Sequence, residues 1–436
     1  AGRTVNVEYV SANPTGPLHA GHGRNCAVGD TIANLFAWNG YSVTREYYFN
    51  NAGNQMNKLG LSIFARVQHR LGNEDFPFPE DGYHGEYIHE IAENIVRDHR
   101  AEITALNEDD ARAFCRKQGE QWCFASIKKT LEALNIHHDE YFNEDSLYGD
   151  GKVTATIEDL RAKGLVYEKD GAQWFALTQL GQAQDKVIVK STGEPTYRLP
   201  DIAYHRDKLQ RGFDTVVDIF GADHIATIPD VLAGVRALGF DTERVIVVIH
   251  QMVTFVEGGE IVKFSKRSGK SFTLDELIDE VGADVVRFFF VMRAVGTHLE
   301  FDLGLAKEEG DKNPVFYLQY AHARICSILR KAEEKGLAPE STANISVLTH
   351  PAEIDLIGLL SRMQTAVERA CENVEPHTIA EFLRDVAASY HNFYHDCRIL
   401  GVEPEIEAAR LLLADVTRRA MRNGLLLLGV GTPERM

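Results

Sequence analysis

The sequence has few cysteines and no long apolar run. Its 436 residues include six cysteines, and no two of them form a Cys-x-x-Cys pair. Scattered thiols argue against a disulfide framework and against a structural zinc site. No uninterrupted apolar run reaches the ~18 residues that a membrane span needs, and no basic-then-apolar leader opens the chain. We therefore expect a cytoplasmic protein with no membrane partner and no structural metal.

Basic residues are also in the minority. The chain has 46 Lys and Arg residues against 64 Asp and Glu residues, a net charge of −18 at pH 7. Phosphate contacts require Lys and Arg, so this balance excludes indiscriminate nucleic-acid binding. Most of the acidic excess lies before Lys312, because the chain from Lys312 onward contains 14 basic and 16 acidic residues. That nearly neutral region could still present a local basic face.

The length and the hydrophobic pattern predict more than one domain. A chain of 436 residues is too long for one ordinary core and suggests two or three domains. In the first ~310 residues, β-branched runs alternate with helical patterns, which predicts an α/β fold with a Rossmann-like, doubly wound parallel sheet. The runs are Val5–Val10, Tyr41–Phe49, Val187–Val189, Thr215–Phe220 and Arg244–Ile249. Ligands of such sheets bind beyond the carboxyl ends of the strands.

Two stretches depart from this alternation. Residues 72–185 are mainly helical and acidic, with a hairpin pattern near Leu165–Phe175, and are predicted to be a connecting insertion. From Pro314 the strand patterns stop and apolar residues recur at helical spacing, which predicts an all-α bundle. The predicted organisation is an α/β domain in two halves, 1–71 and 186–311, the insertion 72–185, and a helical domain, 312–436.

The first motif lies at a strand-to-helix junction. A β-branched run is followed by a turn and then by His19, Gly21 and His22 at the start of a helical pattern. A helix N-terminus favours bound anions, and a glycine there lets a ligand approach the backbone. The two histidines could then donate hydrogen bonds to phosphate oxygens. The alternative is an ordinary βα turn with incidental histidines.

The second motif is a basic loop about 240 residues downstream. Residues Lys263–Lys270 contain four cations and a glycine. A loop of this kind can neutralise a polyphosphate while charge shifts during a displacement reaction. Taken alone, it could equally be a solvated surface loop.

Together the two motifs resemble those of a known family. His19-Ala20-Gly21-His22 is similar to the HIGH signature of class I aminoacyl-tRNA synthetases, and Lys263–Ser268 is similar to their KMSKS loop. The longer run around the histidines resembles arginyl-tRNA synthetases in particular. Arginyl enzymes without the loop lysine usually carry a lysine just before the histidine motif. Here Gly16 stands at that earlier position and Lys266 is present in the loop. The two positions are therefore consistent with an arginyl enzyme that keeps the loop lysine.

The resemblance implies an arginine–tRNA ligase that uses ATP with Mg²⁺, L-arginine and tRNA(Arg), acts as a monomer, and activates arginine only with tRNA bound. It implies catalytic roles for His19, His22 and Lys266. The ATP contacts that it implies are His19, Gly21, His22, Gly221, Asp223, His224, Met252, Val253, Lys263, Ser265 and Lys266. The implied arginine contacts are Glu8, Asn13, His22, Tyr197 and Asp201, and the implied tRNA contacts are Tyr317, Tyr320 and Arg324.

Several alternatives remain open on the sequence alone. The chain could be another class I synthetase, an amino-acid ligase with a small acceptor, or an idle tRNA-binding paralogue. Glu8 could be a paired surface acid, and aromatic residues at helical spacing, such as Tyr317, are usually core. Bacterial and eukaryotic arginyl enzymes usually carry a further N-terminal domain that contacts the tRNA elbow. Since this chain begins at the first catalytic strand, we expect a fragment or a shortened form.

Overall fold

The computed structural model describes residues 2–262 and 272–436. The strands are β1 Thr4–Glu8, β2 Ser42–Phe49, β3 Glu140–Asn143, β4 Val166–Lys169, β5 Ala172–Phe175, β6 Lys186–Val189, β7 Thr215–Gly221, β8 Val245–His250, β9 Val253–Glu257, β10 Glu260–Ile261 and β11 Leu299–Asp302. The helices are α1 His22–Trp38, α2 Gly53–Arg70, α3 Glu86–Ala105, α4 Glu108–Ala133, α5 Asp145–Gly149, α6 Lys152–Ala162, α7 Arg198–Gln210, α8 Ile228–Ala237, α9 Leu274–Val281, α10 Ala283–Val291, α11 Leu303–Ala306, α12 Pro314–Glu333, α13 Pro351–Leu360, α14 Met363–Glu372, α15 His377–Asp396 and α16 Pro404–Leu427.

A parallel sheet of five strands forms the centre of the fold, in the order β3-β2-β1-β7-β8. Its two faces bury different cores, because successive side chains of a strand point to opposite sides. On β7, Val217 and Ile219 belong to the core around α1 and α10, whereas Val216 belongs to the core around α7 and α8. Burial on both faces explains the β-branched runs in the sequence. The predicted Rossmann-like sheet is confirmed.

The register of the central strands places three acids side by side. Glu8 of β1 is the Cα partner of Glu46 on β2 and of Asp218 on β7. All three are buried. Like charges on neighbouring strands repel each other, so the fold needs cations close to this row.

Two strands differ from the sequence predictions. The run Val187–Val189 was expected to resume the parallel sheet, and this is wrong: β6 pairs antiparallel with β5 in a separate sheet of order β4-β5-β6. Conversely, β3 joins the edge of the central sheet beside β2, although it lies within 72–185. It is four residues long and has no apolar run, so its pattern carried no strand signal. The domain boundaries stay predictions.

The helical regions follow the predicted pattern. Helices α2, α3 and α4 share a buried cluster of their own, and α3 and α4 lie within residues 72–185, which the sequence predicts to be mainly helical. From α12 onward the chain is an all-α bundle, as expected, in which α15 and α16 pack against α12 and α13. In the part of the chain that is described, no helix is both long enough and apolar enough to cross a membrane.

Candidate active site

A cavity of about 630 Å³ lies beyond the carboxyl ends of β1, β7 and β8. This is the edge at which open α/β sheets bind ligands. Ten of the predicted site residues line it: Glu8, Asn13, His19, Gly21, His22, Tyr197, Asp201, Gly221, Asp223 and His224. Met252 and Val253 are not among the lining residues, and Met252 is exposed. Lys263, Ser265 and Lys266 lie outside the described residues.

The turn after β1 has an unusual backbone. Val10 and Ser11 have φ values of 69° and 43°, in the left-handed region that β-branched residues such as valine rarely adopt. Asn25 on α1 supports this turn, because its Oδ1 accepts a hydrogen bond from Val10 N at 2.6 Å. Backbone strain of this kind is retained mainly where the surroundings fix it, often at ligand sites. Here the turn forms part of the cavity wall.

The two histidines stack at the start of α1. Their ring centroids are 3.6 Å apart, and His22 Nδ1 accepts a hydrogen bond from the His19 backbone N–H at 3.2 Å. Burial, followed by the nearby His19 and His250, lowers the pKa of His22 to about 3. His22 is therefore neutral near pH 7, and because Nδ1 accepts, Nε2 carries the proton and can donate to a ligand.

The N-terminus of α1 suits an anion. Gly21 precedes it, no side chain caps it, and its first turn contains no acidic residue. His22 N and Gly23 N already donate to the backbone oxygens of His19 and Ala20, at 2.9 and 3.1 Å, so the positive end of the helix dipole is what this terminus offers a phosphate group. A Cβ at Gly21 would lie only 3.0 Å from the His19 ring, so the glycine leaves room for that ring.

The segment that follows residue 271 is tied to the histidine motif. Ala20 N donates to Phe272 O at 3.0 Å, and Leu274 N donates to Leu18 O at 2.7 Å. Thr273 caps α9 through a reciprocal pair of hydrogen bonds with Glu276, in agreement with the helix start expected there. The described residues that follow the predicted basic loop in the chain are thus held beside the histidines.

The end of β7 supplies a second wall. Gly221 is the last residue of the strand, Asp223 and His224 follow it, and the side chain of Asp223 is largely exposed. The His224 ring stacks on Phe220 with centroids 5.1 Å apart. Asn25 Nδ2 donates to Ile219 O at 3.0 Å and so joins this wall to α1.

Acidic groups concentrate at the other end of the cavity. Glu8 accepts a hydrogen bond from Ser11 Oγ at 2.9 Å and forms an ion pair with the buried Lys208. The carboxylate of Asp201, in the first turn of α7, has no hydrogen-bond or ion-pair partner in the described chain. Burial, together with the charges of Glu144 and Glu8, raises its pKa to about 7, with His205 opposing the shift. Tyr197 precedes α7 and is 78% exposed.

Asn13 has a structural role in this state. Its Oδ1 accepts from Asn50 N at 3.0 Å, and its Nδ2 donates to Gln55 Oε1 at 3.0 Å. It therefore connects the turn after β1 to the segment after β2. A ligand contact by Asn13 would have to use its remaining capacity or replace one of these bonds.

Several lining residues were missed from the sequence. They are chiefly Ser11, Asn25, Tyr48, Asn50, Glu144, Tyr204 and His205, and also His250, which lines the cavity where Met252 does not. Glu144 follows the unpredicted strand β3 and accepts a hydrogen bond from Tyr48 at 2.6 Å. Glu144 lies far along the chain from every motif, so no sequence pattern indicated that it lines the cavity. His250 ends a predicted strand and could have been included.

The predicted tRNA contacts form one cluster on the helical bundle. Arg324 donates to the Tyr320 hydroxyl at 2.7 Å, and its guanidinium lies over the rings of Tyr320 and Tyr394 at 4.6 and 5.2 Å. The Tyr317 ring lies 5.2 Å from His391. These side chains are at most half-exposed. They combine cationic and aromatic groups, which RNA-binding sites use for stacking.

Comparison with known proteins identifies the family. The sequence profile described as "tRNA synthetases class I (R), catalytic domain" matches residues 1–287, and the profile described as "DALR anticodon binding domain" matches residues 318–436. The arginine–tRNA ligase of Salinibacter ruber is 51% identical over all of this chain and 80% of that protein. The chain belongs to the arginyl-tRNA synthetase family.

Solved structures agree with this assignment. A protein assigned as an arginyl-tRNA synthetase from Campylobacter jejuni superposes with a TM-score of 0.89 at 32% identity, covering 100% of this chain and 94% of that one. The Thermus thermophilus arginyl-tRNA synthetase has the same fold, with a TM-score of 0.79 at 22% identity, covering 100% of this chain and 83% of that one. The resemblance read from the histidine and lysine motifs is confirmed.

Proposed function

We propose that the chain is an arginine–tRNA ligase. It joins L-arginine to ATP, forming arginyl-adenylate and pyrophosphate, and then transfers the arginyl group to the 3′-terminal adenosine of tRNA(Arg) with release of AMP. The observation that carries the proposal is the asymmetry of the cavity in a member of this family. Carboxylates line one end, a helix N-terminus with two histidines lies at the other, and no lysine or arginine is among the described lining residues.

The acidic end fits a cationic amino acid. A guanidinium is always charged and has five donors, so its recognition requires carboxylates in fixed positions. Asp201 has an unused carboxylate, and Glu8, Tyr197 and Asn13 lie around the same space. A neutral amino acid of similar size would leave these acids buried and unpaired, and sites built on such groups can reject analogues by ~10⁴–10⁵.

The histidine end fits ATP. In the proposal, His19, His22 and the backbone at Gly21 donate to phosphate oxygens, and Lys266, Lys263 and Ser265 act from the loop that precedes Phe272. Gly221, Asp223 and His224 contact the ribose side, while Met252 and Val253 lie toward the base. Their contribution is electrostatic stabilisation of the charge that moves onto pyrophosphate. Mg²⁺ characteristically binds substrate phosphates with few protein ligands, and we propose that it enters with ATP.

The second step requires the tRNA acceptor end beside the adenylate. The 2′-hydroxyl of the terminal adenosine takes the arginyl group, while the cluster of Tyr317, Tyr320 and Arg324 binds the anticodon region. We further propose that the enzyme is a cytoplasmic monomer.

Exchange of labelled pyrophosphate into ATP tests the amino-acid specificity. The assay includes tRNA(Arg) and compares arginine with lysine, cysteine and glutamate at equal concentrations. We expect exchange with arginine alone. Faster exchange with any of the other three would refute the proposal.

A further inference from the structure

A buried lysine lies behind the acidic wall of the cavity. Lys208 on α7 has no exposed surface, forms an ion pair with Glu8, and contacts Asp218 Oδ1 at 2.5 Å. Its ammonium also lies 4.3 Å from the centre of the Tyr204 ring. Lys208 does not line the cavity, but its partner Glu8 does. Lys208 can therefore influence a ligand in the cavity only through the Glu8 carboxylate.

Lys208 neutralises part of the row of acids across the sheet. The strand register brings Glu8, Glu46 and Asp218 side by side, and α7 supplies cations three residues apart. Lys208 serves Glu8 and Asp218, whereas Arg211 binds Glu46 through two hydrogen bonds of 2.6 and 2.8 Å. Each acid in the row therefore has a cationic contact, and Glu8 and Asp218 share one.

Both oxygens of Glu8 are held by the protein. Oε1 accepts from Ser11 and Oε2 accepts from Lys208. A carboxylate oxygen can accept two hydrogen bonds, so each keeps one position for a ligand. Burial, Asp218 and Glu46 raise the pKa of Glu8, and Lys208 is the charge that opposes them.

The same cluster reaches Asp201 through His205. Nε2 of His205 lies 3.0 Å from Asp218 Oδ2, and Nδ1 lies 2.8 Å from the backbone oxygen of Asp201. Both partners are acceptors, so both nitrogens act as donors and the ring is an imidazolium. In agreement, Asp218 raises the pKa of His205 against the opposing effect of burial.

We infer that Lys208 is a positioning residue for arginine. By sharing its ammonium between Glu8 and Asp218, it keeps the Glu8 carboxylate ionised and fixed at the cavity wall. Through Asp218 and His205 it also fixes the turn of α7 that carries Asp201. The inference rests on the proposed function, because it concerns the same amino-acid pocket.

A purely structural role is the competing explanation. Removing one partner of a buried ion pair leaves an uncompensated charge and destabilises the fold. Lys208→Met could therefore weaken every activity equally. The double variant Lys208→Met with Asp218→Asn removes the ammonium together with one of its carboxylates, so it recovers stability while Glu8 still lacks its cation.

The test measures tRNA(Arg) charging with separate titrations of arginine and ATP. For Lys208→Met we expect the KM for arginine to rise by about tenfold or more, the order expected for one charge-assisted hydrogen bond. The KM for ATP should stay within about twofold, because the ammonium is remote from the phosphate end. The control is Lys152→Met, whose ammonium pairs with Asp207 of the same helix at 2.8 Å but is partly exposed. It should leave both constants unchanged.

A pH profile separates positioning from structure. Without Lys208, Glu8 loses its direct cationic partner and faces Asp218 and Glu46, which keep His205 and Arg211 as theirs, so raising the pH restores the charge of Glu8. The ratio of the variant's arginine KM to that of the wild type should therefore fall between pH 7 and pH 9. A merely structural defect would not recover in this way.

The outcomes are distinguishable. If the wild-type chain does not charge tRNA with arginine, the proposed function fails. If it does, and Lys208→Met keeps the wild-type arginine KM or loses arginine and ATP affinity equally, the inference is overturned. A double variant that regains stability but keeps a raised arginine KM supports the inference, whereas one that regains both overturns it.

Discussion

The carboxylate of Asp201 makes arginine affinity depend on pH in the neutral range. Burial raises its pKa to about 7, and Glu144 and Glu8 add to this effect, while His205 and Lys208 oppose it. A guanidinium binds the ionised form, so affinity is present above pH 7 and is lost as the pH falls. If only the ionised form binds, the apparent dissociation constant scales inversely with its fraction. Between pH 8 and pH 6 that fraction falls by about tenfold for a pKa near 7.

The assay is the KM for arginine in tRNA charging at pH 6, 7 and 8, with ATP and tRNA saturating. His22 does not titrate in this window, because its pKa is lowered to about 3. The matched control is Asp201→Asn, which should show a higher KM that no longer changes with pH. A flat profile in the wild type, or the same slope in Asp201→Asn, would refute the assignment.

Four further outcomes are expected. Lys266→Ala should lower the rate of adenylate formation by more than about tenfold with little change in arginine binding, as expected for a group that acts on transition-state charge; a wild-type rate in pyrophosphate exchange would refute its role. Gly21→Ala should lower kcat, because the new Cβ would lie 3.0 Å from the His19 ring; steady-state kinetics with ATP checks this. Arg324→Ala should raise the KM for tRNA by roughly tenfold, the order of one lost stacking contact, whereas the exposed Lys331→Ala on the same helix should not. Asp201→Asn should raise the unfolding temperature more at pH 8 than at pH 4: because burial raises the pKa of Asp201 to about 7, the folded state holds the proton more tightly than the unfolded chain, so the ionised acid costs stability as the pH rises from about 4 through about 7; calorimetry without arginine measures it.

Most of the architecture could be predicted from local pattern. Runs such as Thr215–Phe220 are buried on both faces and are therefore β-branched throughout, and the helices of the insertion and the bundle have regular apolar spacing. The failures were at short strands. Four residues such as those of β3 or β6 have no distinguishing period, and whether they join the central sheet is decided by tertiary pairing.

The site residues also divide into those that could be predicted from the sequence and those that could not. The histidines and Gly21 were found because they lie close together in one motif, and Tyr197 and Asp201 were found through the family resemblance. Lys208, Asp218 and Glu144 were missed, because their relation to the cavity depends on strand register and on contacts as much as 200 residues apart, as between Lys208 and Glu8. A lysine in a helix gives no sign that it is buried between two acids.

Charging of a tRNA(Arg) transcript with radiolabelled amino acid tests the central claim most directly. Citrulline is the decisive competitor, because it has nearly the shape of arginine but no charge. The acidic pocket, with no lysine or arginine among its described lining residues, predicts charging with arginine and none detectable with citrulline or lysine. Equal charging with citrulline, or no charging with arginine, would contradict the account.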